Sequence, residues 1–330
     1  MKAILASSGF TNEAIIKTCE DLVGKPRAKI NFIVLNEAIK AEQGDCRWLI
    51  DGLNEISNNF GGTIELLDLQ AHDLDYLKSR IAACDVIFCF GGQTDYLKSV
   101  FEETGFAKLL PKILEEKVWV GSSAGSCVLC HKESKTTSVG VFEETIENRQ
   151  YLELLPIIFL PHFHSDWFPR LTEEIALHES KLTNLPVYLM SDQSAVLVQG
   201  SLNQPTFETI GTGYFVAQNG QIVTKVTAEP TREIHKKISP EYFEAILLGQ
   251  KTFEYRVNDF ECKPGDILIL DEYEYTKGQN TANGRHPTGR SIRKRVGYVA
   301  HTTDFDWLDR PDVKRDFEKY GAQIISLLDE

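Results

Sequence analysis

Short, wholly apolar runs alternate with helical patterns along the first half of the chain. Strands are predicted at Lys2–Ser7, Lys29–Leu35, Thr63–Leu69, Val86–Phe90 and 118–120. The intervening segments carry apolar residues at helical spacing, as in Cys46–Asn58. Apolar strands separated by helices are typical of a parallel sheet covered on both faces. We therefore predict an α/β three-layer sandwich with a mostly parallel sheet, whose chemistry lies at the carboxyl ends of the strands.

Beyond residue 156 the pattern becomes mostly β. Predicted strands are Ile157–Phe163, Val187–Met190, Ala195–Val198 and Tyr214–Val223, the last broken by an Asn219-Gly220 hairpin turn. Residues 227–231 hold a proline and few apolar side chains, so we predict a linker between domains 1–226 and 232–330. The second domain is predicted as a small α+β unit: helix Pro240–Leu248, strands Thr252–Val257 and Asp266–Tyr275, loop Lys277–Gly289, strand Ile292–His301, helix Asp312–Tyr320 and strand Gln323–Leu328.

Composition and charge exclude several classes of protein. The 330 residues are 42% hydrophobic and 25% charged, the balance of an ordinary globular chain. No run approaches the roughly 20 apolar residues of a membrane span, and no secretory leader is recognisable. The seven cysteines lack paired spacing, which favours a reducing cytoplasm. The net charge of −13 argues against duplex DNA as a partner.

A glycine-flanked serine is the strongest chemical signal. Gly121-Ser122-Ser123-Ala124-Gly125 follows a predicted strand and opens a predicted helix. A serine on such a sharp turn projects its hydroxyl towards substrate, and the next backbone N–H can stabilise an oxyanion. Ser123 is therefore the candidate nucleophile, with the Ala124 N–H as an oxyanion donor. The alternative is a turn that only packs helix on sheet.

The nucleophile needs a base and an acid that orients it. His162 and His164 end a predicted strand at the expected sheet edge, and Asp192 ends the next one. Asp166 is a weaker alternative for the acid. The spacing of His162, His164 and Asp166 also permits a metal site. No further His or Cys pair supports it, so we expect neither metal nor cofactor.

Gly91-Gly92-Gln93-Thr94-Asp95 follows another predicted strand. Without a lysine it is no phosphate-binding loop. A glycine pair allows close backbone approach, so the Gly92 N–H is the candidate second oxyanion donor. The alternative is a permissive turn before a helix N-cap at Thr94.

Three motifs together resemble the aspartyl dipeptidase (dipeptidase E) and cyanophycinase family of serine peptidases. They are Phe90-Gly-Gly-Gln-Thr-Asp-Tyr-Leu97, Val120-Gly-Ser-Ser-Ala-Gly125 and Leu160-Pro-His-Phe163, and the resemblance covers about residues 1–225. It implies a fold similar to class I glutamine amidotransferases and small peptides as substrates. It further implies the following roles: nucleophile Ser123, base His162, acid Asp192, oxyanion donors Gly92 and Ala124, and a carboxylate-binding Arg170. The chain departs from dipeptidase E at Ser138 and Val139, where that enzyme has an acidic residue; here Glu143 and Glu144 come only later.

The C-terminal domain resembles the small ASCH/PUA-like β-barrels. The matching stretches are Ile234–Arg256 and Lys263–Leu270. The resemblance implies binding of RNA or a nucleotide, with candidate contacts from Lys251, Thr252, Glu254 and Arg256. Strand alternation places the last three on one face. A basic cluster could add phosphate contacts: Arg285, Arg290, Arg293, Lys294 and Arg295. The alternative is a solvated charged strand in which Glu254 and Arg256 pair internally.

Two functions follow as hypotheses. The first is a cytoplasmic serine hydrolase of the dipeptidase E type with an ASCH-like accessory domain. The second is a regulatory protein that binds RNA or a nucleotide, whose hydrolase domain is inactive or repurposed. The sequence predicts no membrane partner, and it leaves a homodimer open.

Overall fold

The computed structural model describes residues 1–142, 151–227, 232–257, 260–263, 265–275, 285–301 and 322–328. The chain divides into two compact units, Met1–Glu229 and Pro230–Glu330. The division falls within residues 227–231. In the described ranges no helix is long and apolar enough to cross a membrane.

The first unit is built from two sheets and the helices around them. Its strands are β1 (Lys2–Ala6), β2 (Phe32–Leu35), β3 (Ile64–Leu66), β4 (Val86–Cys89), β5 (Val118–Ser122), β6 (Ile158–Phe163), β7 (Val187–Ser191), β8 (Ser194–Ser201), β9 (Gln204–Gly211), β10 (Tyr214–Gln218) and β11 (Gln221–Val226). Its helices are α1 (Glu13–Val23), α2 (Arg47–Asn59), α3 (Leu74–Ala83), α4 (Thr94–Glu103), α5 (Leu110–Glu116), α6 (Ala124–Cys127), α7 (Lys135–Gly140) and α8 (Glu173–Thr183).

The larger sheet has the strand order β3-β2-β4-β5-β1-β8-β9. The first five strands are parallel, and β8 and β9 continue the sheet in antiparallel fashion. Successive side chains of β1 enter different cores, since strand neighbours point to opposite faces. Ile4 packs with residues of α1 and α2, whereas Leu5 packs with residues of α3, α4 and α5. Helices thus cover both faces, which confirms the predicted three-layer α/β architecture.

The smaller sheet has the order β11-β10-β7-β6. β10 and β11 form the predicted hairpin, and both Asn219 and Gly220 at its turn have positive φ. Strand β9 has no counterpart in the sequence prediction. It lies at the edge of the larger sheet, where alternate side chains are exposed, so it lacks the apolar run that marks the buried strands.

The C-terminal unit contains one mixed sheet and a helix. Its elements are β12 (Glu233–Ile238), α9 (Pro240–Leu247), β13 (Phe253–Val257), β14 (Ile267–Tyr275), β15 (Arg285–His301) and β16 (Ala322–Leu328). The strand order is β12-β14-β15-β16-β13. In the described residues no ladder joins β12 to β13, so closure into a barrel stays a prediction.

Strand β15 begins at Arg285 rather than Ile292, because residues 285–287 pair with the end of β14, Tyr275 opposite Arg285. The predicted loop is therefore wrong over residues 285–289. The predicted helix Asp312–Tyr320 lies outside the described residues.

Candidate active site

Ser123 occupies a sharp turn between β5 and α6. Its backbone has φ 49° and ψ −113°, a conformation that non-glycine residues rarely adopt. The Ser123 N–H is held by the carbonyl groups of Ala6 and Ser7, at 3.1 and 3.0 Å. The end of β1 therefore supports the strained turn.

The glycines around this turn allow backbone segments to meet. A Cβ on Gly125 would lie 2.0 Å from the carbonyl oxygen of Cys89, so only glycine lets α6 approach β4 this closely. Gly92 has φ 122°, and a Cβ there would lie 2.6 Å from the Ala38 backbone. A Cβ on Gly91 would stand 3.0 Å from that of Ser123. The Gly91-Gly92 turn thus lies against the serine, as the hypothesis of an oxyanion donor requires.

His162 connects the serine to a carboxylate. Its Nε2 lies 2.9 Å from Ser123 Oγ, and its Nδ1 lies 2.7 Å from Asp192 Oδ1. We assign the proton on Nδ1 to the bond with the carboxylate, which leaves Nε2 to accept from the serine. The structure thus brings together three of the side chains singled out from sequence.

The Asp192 carboxylate sits in a cluster of donors. Oδ1 accepts hydrogen bonds from the hydroxyls of Ser7 and Ser8 at 2.8 and 2.7 Å, besides the one from His162. Thr11 donates to the Asp192 carbonyl at 2.6 Å. Burial works to raise the pKa of Asp192, but the hydrogen bonds and the charge of His162 outweigh it and hold that pKa below its ordinary value.

Two aromatic side chains flank the His162 ring. The Phe168 ring is centred 5.7 Å away, and Trp167 lies nearly parallel at 6.4 Å. Trp167 is 68% exposed although its indole is large and apolar. One side of the imidazole is therefore bounded by a hydrophobic loop.

The alternatives for the base and acid are not brought to the serine. His164 and Asp166 are exposed side chains on the loop after β6. Among the described residues no group of three or more His, Cys, Asp or Glu side chains could hold a metal ion. The interpretation of His162, His164 and Asp166 as a metal site therefore finds no support.

Arg170 is exposed, and it donates a hydrogen bond to the Gly140 carbonyl at 3.0 Å. Its binding of a substrate carboxylate stays a prediction. Glu143 and Glu144 lie outside the described residues.

Sequence analysis missed the supporting hydroxyls. Ser7 and Ser8 follow directly on β1, the strand between β5 and β8. The available signal was a Ser-Ser-Gly sequence at the carboxyl end of a buried strand, where polar residues in a parallel sheet collect around the site.

Two of the four C-terminal candidates lie at a separate cavity of about 220 Å³. Glu254, Tyr255 and Arg256 line it, but Lys251 and Thr252 do not. Buried Glu254 pairs with Lys251 at 2.6 Å and with Arg256 at 2.8 Å. Thr252 precedes β13 and is exposed, so its place on one face with Glu254 and Arg256 stays a prediction.

The cavity also has walls that the motif did not indicate. They are formed by Lys237, Ile238, Ser239, Tyr242 and Tyr273. The Lys237 ammonium lies 4.4 Å from the centre of the Tyr273 ring. The Ser239 hydroxyl is buried and has no hydrogen-bond partner within the part of the chain that the structure describes.

The basic cluster on β15 is partly neutralised by neighbouring carboxylates. Arg290 pairs with Glu244 at 2.7 Å, and Arg293 pairs with Glu233 at 2.9 Å. These two ion pairs make Arg290 and Arg293 weaker sites for phosphate. The internal pairing that the sequence analysis kept as an alternative, between Glu254 and Arg256, is also present, at 2.8 Å.

The fold and the site define a class: an α/β protein whose serine, histidine and aspartate meet above the edge of a mostly parallel sheet. A sequence profile of Peptidase family S51 matches residues 3–204. The chain belongs to peptidase family S51, which confirms the resemblance noted for its first 225 residues. Residues 234–310 match the profile of a domain of unknown function (DUF3850), which is compatible with the ASCH/PUA-like resemblance.

Individual relatives agree with this assignment. An uncharacterized peptidase of Listeria innocua is 28% identical over 136 residues, which are 40% of this chain and 64% of the relative. An uncharacterized peptidase of Pasteurella multocida is 24% identical over 202 residues, 60% of this chain and 94% of the relative. The crystal structure of a peptidase from an acI-B1 actinobacterium superposes with a TM-score of 0.51 at 16% identity. The match covers 69% of this chain and 94% of the actinobacterial peptidase, and it supports the fold alone.

Proposed function

We propose that the first unit is a serine peptidase that hydrolyses short peptides through an acyl-enzyme on Ser123. One observation carries the proposal: His162 lies within hydrogen-bond distance of both Ser123 Oγ, at 2.9 Å, and Asp192 Oδ1, at 2.7 Å. Nucleophile, base and orienting carboxylate are the parts that acyl transfer requires.

The chemistry follows from this order of groups. His162 Nε2 accepts the Ser123 proton as Oγ attacks the carbonyl carbon of the peptide bond. Asp192 holds the Nδ1–H and stabilises the imidazolium that forms. His162 then gives the proton to the departing amine as the C–N bond breaks. Water, deprotonated in the same way, attacks the ester and frees Ser123 and the new carboxylic acid.

The negative oxygen of the intermediate is stabilised by the N–H groups of Gly92 and Ala124. As the first residue of α6, Ala124 has an N–H for which the helix offers no acceptor. The close approach of the Gly91-Gly92 turn to Ser123 supports the second donor. Loss of one such donor typically costs about 3–4 kcal/mol of transition-state stabilisation.

A fluorophosphonate probe tests the proposal, because it reacts only with an activated serine. We expect labelling of the wild type, and we expect the Ser123→Ala variant to lose it completely. Ser122→Ala is the matched control: it removes the neighbouring hydroxyl and should label like the wild type. Equal labelling of Ser123→Ala, or none of the wild type, would contradict the assignment. Hydrolysis of Asp-X, Glu-X and isoaspartyl dipeptides then defines the specificity, including any contribution of Arg170.

We propose a second function for the C-terminal unit: binding of a nucleotide in the cavity beside β13. Tyr242, Tyr255 and Tyr273 offer aromatic faces on which a base could stack, and Lys237 in the cavity wall offers a cation for phosphate. The unpartnered Ser239 hydroxyl supports a polar ligand. At about 220 Å³ the cavity lies below the ~300–1,000 Å³ of typical ligand sites, which favours a single base over a dinucleotide.

Titration calorimetry with nucleoside monophosphates tests this second function. We expect binding to the wild type and at least about a 5-fold weaker affinity for Tyr255→Ala, given a stacking contribution of about 1–3 kcal/mol. Tyr76→Ala, an exposed tyrosine of the first unit, is the control. Binding to single-stranded RNA but not to nucleoside monophosphates would show that the ligand is RNA and not a nucleotide. Binding to neither would refute the proposal. Nucleotide binding without probe labelling would support the alternative of an inactive hydrolase domain.

A further inference from the structure

The end of β1 contacts every member of the Ser123–His162–Asp192 set. The Ser7 carbonyl accepts the Ser123 N–H at 3.0 Å. The Ser7 hydroxyl accepts a hydrogen bond from the backbone N–H of His162 at 2.7 Å and donates one to the Asp192 carboxylate at 2.8 Å. Ser8 adds a second hydroxyl, 2.7 Å from the same carboxylate oxygen and 3.4 Å from His162 Nδ1. Two adjacent residues thus join groups that come from three different parts of the chain.

We propose that Ser7 and Ser8 are positioning residues of the hydrolytic site, which hold His162 and Asp192 in register with Ser123 and keep the carboxylate ionised. The proposal rests on the proposed peptidase function. It assigns no chemical step to either serine, since both act on substrate only through His162 and Asp192.

The backbone of His162 shows why such support is needed. Its φ is 64°, and the pairing of β6 with β7 is irregular between Leu160 and Phe163. The N–H of His162 therefore turns away from the ladder and bonds to the Ser7 hydroxyl. Ser7 is completely buried, so no water can readily replace that hydroxyl. The orientation of the imidazole thus depends on a side chain of β1.

The charge of Asp192 depends on the same hydroxyls. Within the described residues His162 is the titratable side chain that contacts this carboxylate, and Ser7 and Ser8 are neutral donors to it. A hydrogen bond donated to a carboxylate favours its ionised form. Removal of the Ser8 hydroxyl therefore makes Asp192 easier to protonate. A protonated Asp192 orients His162 poorly, so activity should fail at a higher pH than in the wild type.

The Ser8→Ala variant tests the proposal, because Ser8 is only partly buried and the chain should fold without its hydroxyl. We expect kcat to fall about 10-fold, with KM within about two-fold of the wild type, as for a hydrogen bond to a charged group. The acid side of the kcat/KM profile should move to higher pH. Ser8→Thr keeps a hydroxyl and should restore most of both properties.

Ser7→Ala is the stronger change, and it needs a control for stability. Ser180 is also completely buried; its hydroxyl donates to the Leu177 carbonyl and accepts the Gly220 N–H, at 3.0 and 2.9 Å. Both Ser7→Ala and Ser180→Ala should unfold at lower urea concentration than the wild type. Only Ser7→Ala should shift the pH profile and lower kcat. An equal kinetic effect of the two variants would make Ser7 merely structural.

Proton NMR separates this proposal from the peptidase function. The low-field resonance of the His162 Nδ1 proton reports the bond to Asp192 without any substrate. We expect Ser8→Ala to move or broaden it, and Ser180→Ala to leave it unchanged. An unchanged resonance together with an unchanged pH profile would refute the positioning role. A shifted resonance in a protein that hydrolyses no peptide would refute the peptidase function instead.

Discussion

Two residues of the candidate site have strained backbones. Ser123 and His162 have φ values of 49° and 64°, and neither is glycine. Such conformations cost about 1–3 kcal/mol each and persist only where the surroundings impose them. Here the carbonyl and hydroxyl of Ser7 accept the N–H groups of both residues. The strain and its support therefore coincide at the proposed reacting groups.

Glu55 on α2 lies near the segment that follows β1, which contains Ser7, Ser8 and Gly9. A Cβ on Gly9 would lie 3.6 Å from its Oε2. Burial raises the pKa of Glu55, a hydrogen bond from the Phe10 N–H opposes that effect, and nearby Asp51 adds to it; the resulting pKa is about 7. Glu55 is therefore protonated in the folded protein at pH values where an exposed glutamate is ionised.

This pKa predicts how stability depends on pH. Between about pH 4.5 and 7 the folded state binds a proton at Glu55 that the unfolded state has lost, so the free energy of unfolding should fall as the pH rises. Glu55→Gln mimics the protonated acid and should flatten this part of the curve, with greater stability than the wild type at pH 8. Urea unfolding at pH 5, 6.5 and 8 measures both proteins. The same slope in both would contradict the prediction.

At the scale of elements, the site depends on how closely α6 approaches β4. The contact is between backbones, since Gly125 offers no side chain to the carbonyl of Cys89. Backbone atoms cannot rotate away as the end of a side chain can. The short helix α6 can therefore pack this closely against β4 only because residue 125 has no Cβ.

A Gly125→Ala substitution tests this dependence. The added methyl would lie 2.0 Å from the Cys89 carbonyl oxygen, so α6 and Ser123 must shift. We expect a loss of about 1–3 kcal/mol in the free energy of unfolding and a labelling rate at Ser123 at least 10-fold lower. Gly140→Ala is the control, because a Cβ there meets nothing within 4 Å. Normal labelling of Gly125→Ala would show that the turn tolerates the shift.

At the scale of the whole molecule, the two units have separate hydrophobic cores. The C-terminal core gathers residues of β12, α9, β14, β15 and β16, among them Leu268, which is completely buried. The cores of the first unit contain none of these residues. Each unit can therefore be perturbed through its own core.

A Leu268→Ala substitution should destabilise the C-terminal unit alone. The truncation of a buried leucine costs about 2–5 kcal/mol. We expect hydrogen exchange in β14 and β15 to accelerate, while the rate of fluorophosphonate labelling at Ser123 stays that of the wild type at 25 °C. A parallel loss of labelling would mean that the two units unfold together.

Much of the fold could be predicted from the sequence. The buried strands β1, β2, β4 and β5 have apolar residues on both faces, so each is visible as a continuous run. The sequence did not predict edge strand β9 or the first residues of β15, because these segments lack a continuous apolar run. They form strands by pairing with β8 and β14. In the candidate site, Ser123 was marked by its glycines, whereas Ser7 and Ser8 had only their place after a strand.

Local pattern by itself determined the α/β class, the glycine-bounded turn at Ser123 and the hairpin at Asn219, since each depends on residues close together in the chain. Local pattern left His162 and His164 as alternatives and the family resemblance implied His162; the tertiary structure brings the His162 ring to the serine. It also brought the hydroxyl of Ser8 to Asp192, 184 residues away. Such contacts depend on strand order and on the bulge in β6, which arise only when the whole sheet assembles.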